Sequence, residues 1–359
     1  MGIWTRLSTR IWYRHKMEIK KFFASDNCAT VHPRVMEKLI EINRGHAISY
    51  GDDAYTKSVL NKITELFGGS CEAHLVFNGS GANAVCLNAM CPTWGGIICT
   101  ELSHINCDET GAIEHLTGGK LFTLRGNAKN KLTVEEMEPL LQKFGNQHTS
   151  QPRVISITQC TETGTVYKVE EVAAIANFAH ANGMLLHMDG ARFANAVAAL
   201  NCTPAALTRL AGVDVLSFGL SKNGGMFGEA IVCFTDLPHM RYVRKSCTQL
   251  ISKMRYIAAQ FDAMLEDDLW LRCAEHANSM AKRLSDGLCA VNGIFCAAPT
   301  EANEVFMVLP PQLIEPLREF MDFHDADFGM DTVRLVTSHD TTEDEVDAFI
   351  MKARELISI

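Results

Sequence analysis

The chain has 359 residues, of which 47% are hydrophobic and 21% are charged, and its formal net charge at pH 7 is −9. This is the composition of a globular protein with room for a large domain and a smaller one, and its 42 acidic against 33 basic residues argue against a nucleic-acid partner. No apolar run reaches the length of a membrane span. The 13 cysteines form no CxxC pair and have no regular spacing, so we expect free thiols in a reducing compartment and no metal site.

The first 21 residues are basic, with Glu18 as the only acid. The basic positions are Arg6, Arg10, Arg14, Lys16, Lys20 and Lys21. An Arg-rich, acid-poor start is typical of a mitochondrial presequence. It equally fits a disordered extension, with Met17 nearer the functional start. Because the stretch is short and holds one Ser, we favour an extension over residues 1–24 and a cytoplasmic protein, with a mitochondrial location as the alternative.

Two helices and a loop are predicted next. Ser25 and Asp26, which by themselves would cap a turn, precede a helical pattern from Pro33 to Ile42. Residues 45–53 are too polar and too rich in glycine for a regular element, so they predict a loop. A helical period of apolar residues then predicts a helix from Tyr55 to Phe67.

A strand-to-helix turn rich in small residues follows. His74 to Phe77 is predicted as a short strand, and Asn78, Gly79, Ser80 and Gly81 separate it from a helix that begins near Ala82. Such a turn lets backbone N–H groups approach a phosphate, whose charge the helix dipole favours, and Ser80 adds a hydroxyl. The turn matches neither the Walker nor the dinucleotide pattern. Taken alone it is a simple glycine turn.

Two polar residues follow strands in the middle of the chain. Strands are predicted at 96–100, 120–124 and 154–158, and helices at 133–141 and 170–182. His104, just after the first strand, could stack on a flat cofactor or accept a proton, and Glu109 could orient it, although an isolated His is more often structural. Glu162 lies in QCTETG, after the third strand, and no His occurs between His148 and His180.

A carboxylate and an amine end two predicted neighbouring strands. The apolar runs 184–188 and 213–220 predict two strands of a parallel βαβ unit, the first ending at Asp189 and the second at Lys222. Strands of this kind deliver side chains to one crevice at their carboxyl ends. The pair suits pyridoxal phosphate, with Lys222 forming the Schiff base and Asp189 partnering the pyridine nitrogen. Each residue alone is more often a strand-end Asp or a surface Lys without a catalytic role, but the phosphate turn favours the cofactor.

Arg192 could bind a carboxylate with two parallel hydrogen bonds or form a surface ion pair.

The last third of the chain predicts a smaller unit. A strand at 231–234, a basic segment at 240–250 and a long helix at 265–288 come first. A strand at 304–310, a helix at 314–320, a strand at 332–338 and a helix at 343–356 then form the pattern of a small α+β domain. No linker is visible, so we set the boundary near Thr248, with a large domain over 25–248 and a small one over 249–359.

Seven separated segments occur in the order found in the low-specificity L-threonine aldolases, which the chain resembles from about Phe23 to its end. They are FASDNCATVHPRVMEKL, GHAISYGDDAYT, LVFNGSGANAVC, SHINCDETGA, LHMDGARFANA, LSFGLSKNGG and RLVTSHD. The chain looks most like the bacterial branch that carries HMDG[AS]RFANA and SFG-x-[ST]KNG. The resemblance implies fold type I of the pyridoxal-phosphate enzymes, the aspartate aminotransferase-like α/β architecture. It has a mostly parallel central sheet in the large domain, a small α+β domain, and a homodimer or homotetramer with shared active sites.

The resemblance also implies roles for single residues. The implied catalytic residues are Lys222, His104 and Asp189. The implied cofactor contacts are Lys222, Asp189, Asn78, Gly79, Ser80, His104, Arg192 and, from the neighbouring subunit, Arg255. The implied substrate contacts are Ser25, Arg192, Arg334 and, across the interface, Tyr50. Many family members have ENTH, with a second active-site His, where this chain has QCTETG. That difference leaves the base for the β-hydroxyl open, and Glu162 is our candidate for part of the role.

The expected reaction is aldol cleavage of L-threonine, L-allo-threonine and related β-hydroxy-α-amino acids into glycine and an aldehyde. One alternative is another reaction on the same fold, such as β-elimination or transamination, which glycine release from L-threonine or L-phenylserine would distinguish. The other alternative is a non-catalytic protein, which would lack a yellow, borohydride-sensitive chromophore.

Overall fold

The computed structural model describes residues 21–326 and 329–357. The Arg-rich part of the predicted extension, residues 1–20, lies outside this range. None of the helices within the described ranges is both long and apolar enough to cross a membrane.

The α-helices of the described residues are numbered in chain order. They are α1 Pro33–Ile42, α2 Ala54–Leu66, α3 Gly79–Met90, α4 His104–Cys107, α5 Ala112–Thr117, α6 Val134–Met137, α7 Val169–Ala181, α8 Phe193–Leu200, α9 Pro204–Leu207, α10 Met240–Ser246, α11 Arg255–Leu265, α12 Leu269–Cys289, α13 Pro311–Phe320 and α14 Glu343–Ile357. Local capping explains several starts. Asp53 accepts a hydrogen bond from the Thr56 N–H at 2.7 Å before α2, and Pro33 stands at the first position of α1.

The strands form two separate sheets. They are β1 Glu72–Val76, β2 Gly95–Thr100, β3 Lys120–Leu124, β4 Gln151–Thr158, β5 Leu185–Gly190, β6 Val215–Phe218, β7 Glu229–Cys233, β8 Phe295–Cys296, β9 Glu304–Val308, β10 His324–Asp325 and β11 Thr332–Val336. The larger sheet has the order β1-β7-β6-β5-β4-β2-β3, in which only the pairs made by β7 are antiparallel. The smaller sheet, β10-β11-β9-β8, is antiparallel throughout. These sheets confirm the predicted α/β class with a mostly parallel central sheet.

Three apolar clusters hold the helices against the sheets. One joins α2, α7, α8 and α11 to one face of the large sheet, and a second joins α3 to the other face. The third lies between the small sheet and helices α12, α13 and α14. Helix α12 contributes to two clusters, with Trp270 in the first and Leu284 in the third. The boundary near Thr248 stays a prediction.

Three predicted elements are wrong in their bounds. Helix α3 begins at Gly79, because the Asn78 side chain accepts a hydrogen bond from the Gly81 N–H at 2.8 Å and caps it. The predicted helix over 133–141 is only α6 followed by a 3₁₀ helix over 138–143, since Pro139 cannot donate a backbone hydrogen bond. The predicted long helix begins at Leu269, because Asp267 and Asp268 have φ of 53° and 52° and separate α11 from α12.

Candidate active site

Two adjoining cavities open at the carboxyl ends of β4, β5 and β6. The inner cavity, of about 340 Å³, is lined by the Asn78-Gly79-Ser80 turn, Asn83, Thr158, Asp189 and Glu229. The outer cavity, of about 820 Å³, is lined by Ser25, Glu304, Phe306 and Arg334. The side chains that line both are Asn27, His104, Glu162, Arg192 and Lys222. The sheet therefore brings most of the predicted site residues to one place.

Tyr50 and Arg255 lie outside both cavities within the single chain. Arg255 lines another concave region with residues 45–49 and donates hydrogen bonds to the Gly45 carbonyl at 3.3 and 3.4 Å. Tyr50 is 45% exposed, and the Lys245 Nζ lies 5.1 Å from its ring centroid. Both residues were predicted to act across a subunit interface.

Lys222 lies on a short 3₁₀ helix, Ser221–Asn223, four residues after β6, and is not at the strand end itself. The Asn223 side chain donates to the Trp270 carbonyl at 2.7 Å and fixes this turn against α12. The positive charge of Arg192 and then burial lower the pKa of Lys222, against the opposing influence of Asp26, Asp189 and Glu304. The environment therefore favours the neutral amine, the form that acts as a nucleophile.

A chain of hydrogen bonds connects Asp189 to His104. Asp189 accepts from the Ala191 N–H at 3.0 Å and from the Asn83 side chain at 2.7 Å. The same Asn83 amide donates to Glu109 Oε1 at 3.0 Å, and that oxygen lies 2.9 Å from His104 Nδ1. The hydrogen bond with Glu109 raises the pKa of His104 against the effect of burial. One amide thus holds both Asp189, which lines the inner cavity, and Glu109 behind His104.

The first turn of α3 is the candidate phosphate cradle. The Asn78 side chain accepts a hydrogen bond from the Gly81 N–H. The N–H groups of Gly79 and Ser80 lie in the same first turn, where a helix offers no intrahelical acceptor. A Cβ at Gly79 would meet no protein atom within 4 Å, so space beside this turn is free. At Gly81 a Cβ would overlap the Gln249 side chain, which accepts a hydrogen bond from the Phe77 N–H at 3.0 Å.

The guanidinium of Arg192 is buried and already paired. It donates to Asp26 at 2.8 and 3.0 Å, and its Nη1 lies 3.3 Å from Glu304 Oε1. Burial works against the charge of Arg192, but Asp26 and Glu304 more than offset that and raise its pKa. Burial likewise opposes the charge of Asp26, yet Arg192 lowers the pKa of this carboxyl. The surface ion pair that we considered for Arg192 is therefore wrong, since the pair is an internal one.

Two further carboxylates lie in the wall with a raised pKa. Glu162 accepts hydrogen bonds from the Thr158 hydroxyl at 2.6 Å, the His104 N–H at 3.0 Å and the Asn130 side chain at 3.0 Å. Burial raises the pKa of Glu162 to about 7. Burial also raises the pKa of Glu229 to about 7, and this residue accepts a hydrogen bond from the Leu220 N–H just before Lys222.

These residues suit pyridoxal phosphate. The inner cavity presents an amine, a buried carboxylate and an open helix N-terminus, which match the carbonyl, the pyridine nitrogen and the phosphate of that cofactor. No cluster of three or more His, Cys, Asp or Glu suited to a metal is found among residues 21–326 and 329–357.

Sequence reasoning missed several of these residues. They are Asp26 as the partner of Arg192, together with Asn83, Glu229 and Glu304. Only Asn83 carried a local signal, because an amide between apolar residues of a helix must find a partner when it is buried. It is 2% exposed.

Comparisons with known proteins agree with this picture. Residues 23–311 match the family described as beta-eliminating lyase. The chain is 43% identical over 298 residues to a low specificity L-threonine aldolase of Pseudomonas aeruginosa, covering 82% of this chain and 86% of that protein. It is 39% identical over 343 residues to a protein of the same name from a Pseudomonas species, covering 94% and 98%. A threonine aldolase structure from Leishmania major superposes with a TM-score of 0.88 at 30% identity, covering 93% and 99%.

Proposed function

The chain belongs to the beta-eliminating lyase family, and from that premise we propose that it is a pyridoxal-phosphate-dependent aldehyde-lyase, a threonine aldolase. Its substrates are L-threonine, L-allo-threonine and related β-hydroxy-α-amino acids, which it cleaves into glycine and an aldehyde. Its architecture is that of the fold type I enzymes. The observation that carries the proposal is the meeting of Lys222, Asp189 and the α3 N-terminus in one cavity.

In this proposal the inner cavity holds the cofactor. Gly79, Ser80 and the α3 dipole would hold its phosphate, Asp189 would pair with the pyridine nitrogen, and Lys222 Nζ would hold its carbonyl. When bound, the cofactor supplies an electron sink for the electron pair of the broken Cα–Cβ bond. Asn83 keeps Asp189 oriented, because its amide donates to that carboxylate and anchors to Glu109 as well.

The outer cavity receives the amino acid. Ser25 and Arg334 line it. The buried Nε of Arg334 has no hydrogen-bond partner in the part of the chain that the structure describes, so this arginine is available to bind the substrate carboxylate. Arg192 also lines the outer cavity and contributes its positive charge, although its Nε and Nη2 donate to Asp26. Fixing the carboxylate orients the substrate so that the Cα–Cβ bond is the one that breaks.

We assign the removal of the β-hydroxyl proton to Glu162. It lines both cavities, and with a pKa of about 7 it is ionised near neutral pH yet basic enough to accept a proton. As the hydroxyl loses its proton, the Cα–Cβ bond breaks and the aldehyde leaves. A proton delivered to Cα completes glycine, and Lys222 Nζ is the group that we assign to this transfer. His104, whose backbone N–H donates to Glu162, lines both cavities, and its ring would help to hold the cofactor.

The direct test is product analysis with purified protein and added cofactor. Stoichiometric glycine and acetaldehyde from L-threonine would support the proposal, and the rates on the four threonine stereoisomers would define the preference at Cβ. Release of ammonia and a keto acid in place of glycine would instead indicate β-elimination, and amino transfer to a keto acid would indicate transamination.

We predict that Glu162→Gln lowers kcat by about 10²–10⁴-fold, the usual contribution of a placed base. In the unaltered protein, activity should rise as pH increases through about 7, because Glu162 must be ionised to accept the proton. Glu162→Gln should lose that acidic limb. Asn130→Ala is the matched control. It removes a donor to the carboxylate, so it should keep the limb and shift it to higher pH. An unchanged limb in Glu162→Gln would assign it to another group.

We propose that the active unit is a dimer or larger, with Tyr50 and Arg255 completing the neighbouring subunit's site. A phosphate dianion is stabilised by a cationic side chain. Among the described residues that line the inner cavity, the cationic ones are Lys222 and Arg192, and both have other partners or roles. Among the described residues of the single chain, Arg255 donates to the backbone carbonyls of Arg44 and Gly45 and to the Tyr256 hydroxyl, so it can turn to an anion on an adjacent surface.

The corresponding prediction is complementation. Lys222→Ala and Arg255→Ala proteins should each be impaired, whereas a refolded mixture should recover up to roughly a quarter of the unaltered rate, because half of random dimers are mixed and each mixed dimer has one intact site. Differential tags verify that hybrids form. An active monomer in sedimentation, or no recovery despite proven hybrids, would rule out the shared site.

A further inference from the structure

Glu304 is a buried carboxylate between two arginines. It begins β9, its side chain is 1% exposed, and Oε1 lies 3.3 Å from Arg192 Nη1 and 4.0 Å from Arg334 Nη1. Its other oxygen, Oε2, is buried and has no hydrogen-bond partner among residues 21–326 and 329–357. A buried ionised carboxylate normally has donors on both oxygens, so this site holds the negative charge of Glu304 poorly.

The charged and titratable groups that act on Glu304 come from several separate parts of the chain. They are Arg192 before α8, Asp26 in the first 3₁₀ helix, Arg334 on β11, Lys222 after β6 and, as a titratable thiol, Cys160 after β4. Two guanidinium groups thus already face two carboxylates. A substrate carboxylate that arrives in the outer cavity becomes the third anion for the same two arginines, and carboxylates that share a site resist simultaneous ionisation.

We propose that Glu304 is an internal stand-in for the substrate's α-carboxylate and takes up one proton when that carboxylate binds to Arg334 and Arg192. This inference rests on the proposed function, since it concerns the same amino-acid site. The arrangement gives the arginines a partner before substrate arrives. Once Glu304 is protonated, the substrate carboxylate can bind both arginines without a third buried negative charge in the site. The proton on Oε2 then makes that oxygen a hydrogen-bond donor.

The pH dependence has a definite sign. Burial raises the pKa of Glu304, with Asp26 acting in the same direction, although Arg192, Arg334 and Lys222 act to lower it. Below that pKa the carboxyl is neutral and the substrate carboxylate binds without competition. Above it, Glu304 is ionised and must gain a proton for binding to occur. KM should therefore rise with pH, while kcat should not follow the same curve, because the proton is gained on binding.

The experiment measures KM and kcat for L-threonine from about pH 6 to about pH 9 in the holoenzyme and in Glu304→Gln. We expect the ratio of the unaltered KM to the variant KM to rise with pH, by about tenfold for each pKa unit of coupling between Glu304 and the bound carboxylate. Taking the ratio cancels ionisation of the substrate amine. Glu301→Gln is the matched control. Glu301 lies three residues away, pairs with Lys129 at 2.6 Å and lines neither cavity, so its KM ratio should stay flat.

A second measurement needs no variant. 3-Hydroxybutyrate carries the carboxylate and the β-hydroxyl without the amine, and its inhibition constant should rise with pH in the unaltered protein. A flat KM ratio and a flat inhibition constant would overturn the proposal. The proposal would also be overturned if the rise of KM with pH persisted in Glu304→Gln and disappeared in Glu162→Gln, because the titrating group would then be Glu162. If no aldehyde is formed, the proposed function fails separately. The spectral titration of the holoenzyme with glycine, at the same pH values in both proteins, then tests Glu304 by itself.

Discussion

Replacing Lys222 with Ala is expected to abolish aldehyde release, with a loss on the order of 10³-fold or more. Lys222 is the lysine that lines both cavities, and the charge of Arg192 together with burial lowers the pKa of its amine towards the neutral, nucleophilic form. Without Nζ the cofactor loses its covalent anchor, and Cα loses the group that we assign to proton delivery. Steady-state aldehyde release, the visible absorbance of the bound cofactor and circular dichroism measure activity, attachment and fold.

Two controls separate chemistry from charge. Lys222→Arg keeps a cation beside Asp26 and Glu304 but provides no amine, so it should be as inactive as Lys222→Ala. Lys282→Ala removes an exposed lysine whose partner is Asp286 on the same helix, so it should leave activity unchanged. Borohydride reduction of the holoenzyme followed by peptide mapping should label Lys222. A label on a different lysine, or full activity in Lys222→Ala, would overturn the assignment.

The strand-end residues were predictable because their signals are local. An apolar run that stops at Asp189, and another that stops just before Lys222, indicate buried strands, and a parallel sheet then brings their ends together. The small-residue turn before α3 was recognisable for the same reason. The predicted start of this helix, near Ala82, is three residues late, because the Asn78 side chain caps a helix that begins at Gly79.

The partners of these residues were not predictable, because they come from distant parts of the chain. Asp26 and Arg192 are separated by 166 positions, and Asn83 and Asp189 by 106. Nothing in the neighbourhood of either residue specifies such a pair before the topology is known. Charge balance inside the site depends on these long-range contacts. This is why Arg192 looked like a free carboxylate ligand from the sequence and is an internally paired cation in the fold.

Local breaks were missed for a different reason. Asp267 and Asp268 adopt left-handed backbone conformations between α11 and α12, yet aspartate is also compatible with a helix. The predicted helix over 265–288 therefore includes both residues and starts four residues before α12, and no helix was predicted over α11.

Asp189→Asn is expected to retain the cofactor and to lose most activity, by roughly 10²–10⁴-fold, because an amide cannot hold a proton on the pyridine nitrogen by charge. The phosphate cradle of α3 and the Lys222 amine are unaltered, so binding of the cofactor should persist. The Asn83 side chain and the Ala191 N–H donate to the side chain at position 189, and an Asn there keeps an oxygen that can accept a hydrogen bond. The fold is therefore expected to stay intact. Cofactor content after gel filtration and kcat for L-threonine measure the two effects.

The hydrogen-bond geometry around Asp189 supplies the matched control. Asn83→Ala leaves the Asp189 charge in place but removes the 2.7 Å donor to its Oδ2 and the 3.0 Å donor to Glu109. It should therefore weaken activity less than Asp189→Asn does. It should also change the pH profile of His104, whose ring is held by Glu109. If Asp189→Asn works at a near-normal rate while Asn83→Ala is severely impaired, the charge at position 189 is not the electron-sink partner, and a different group faces the pyridine nitrogen.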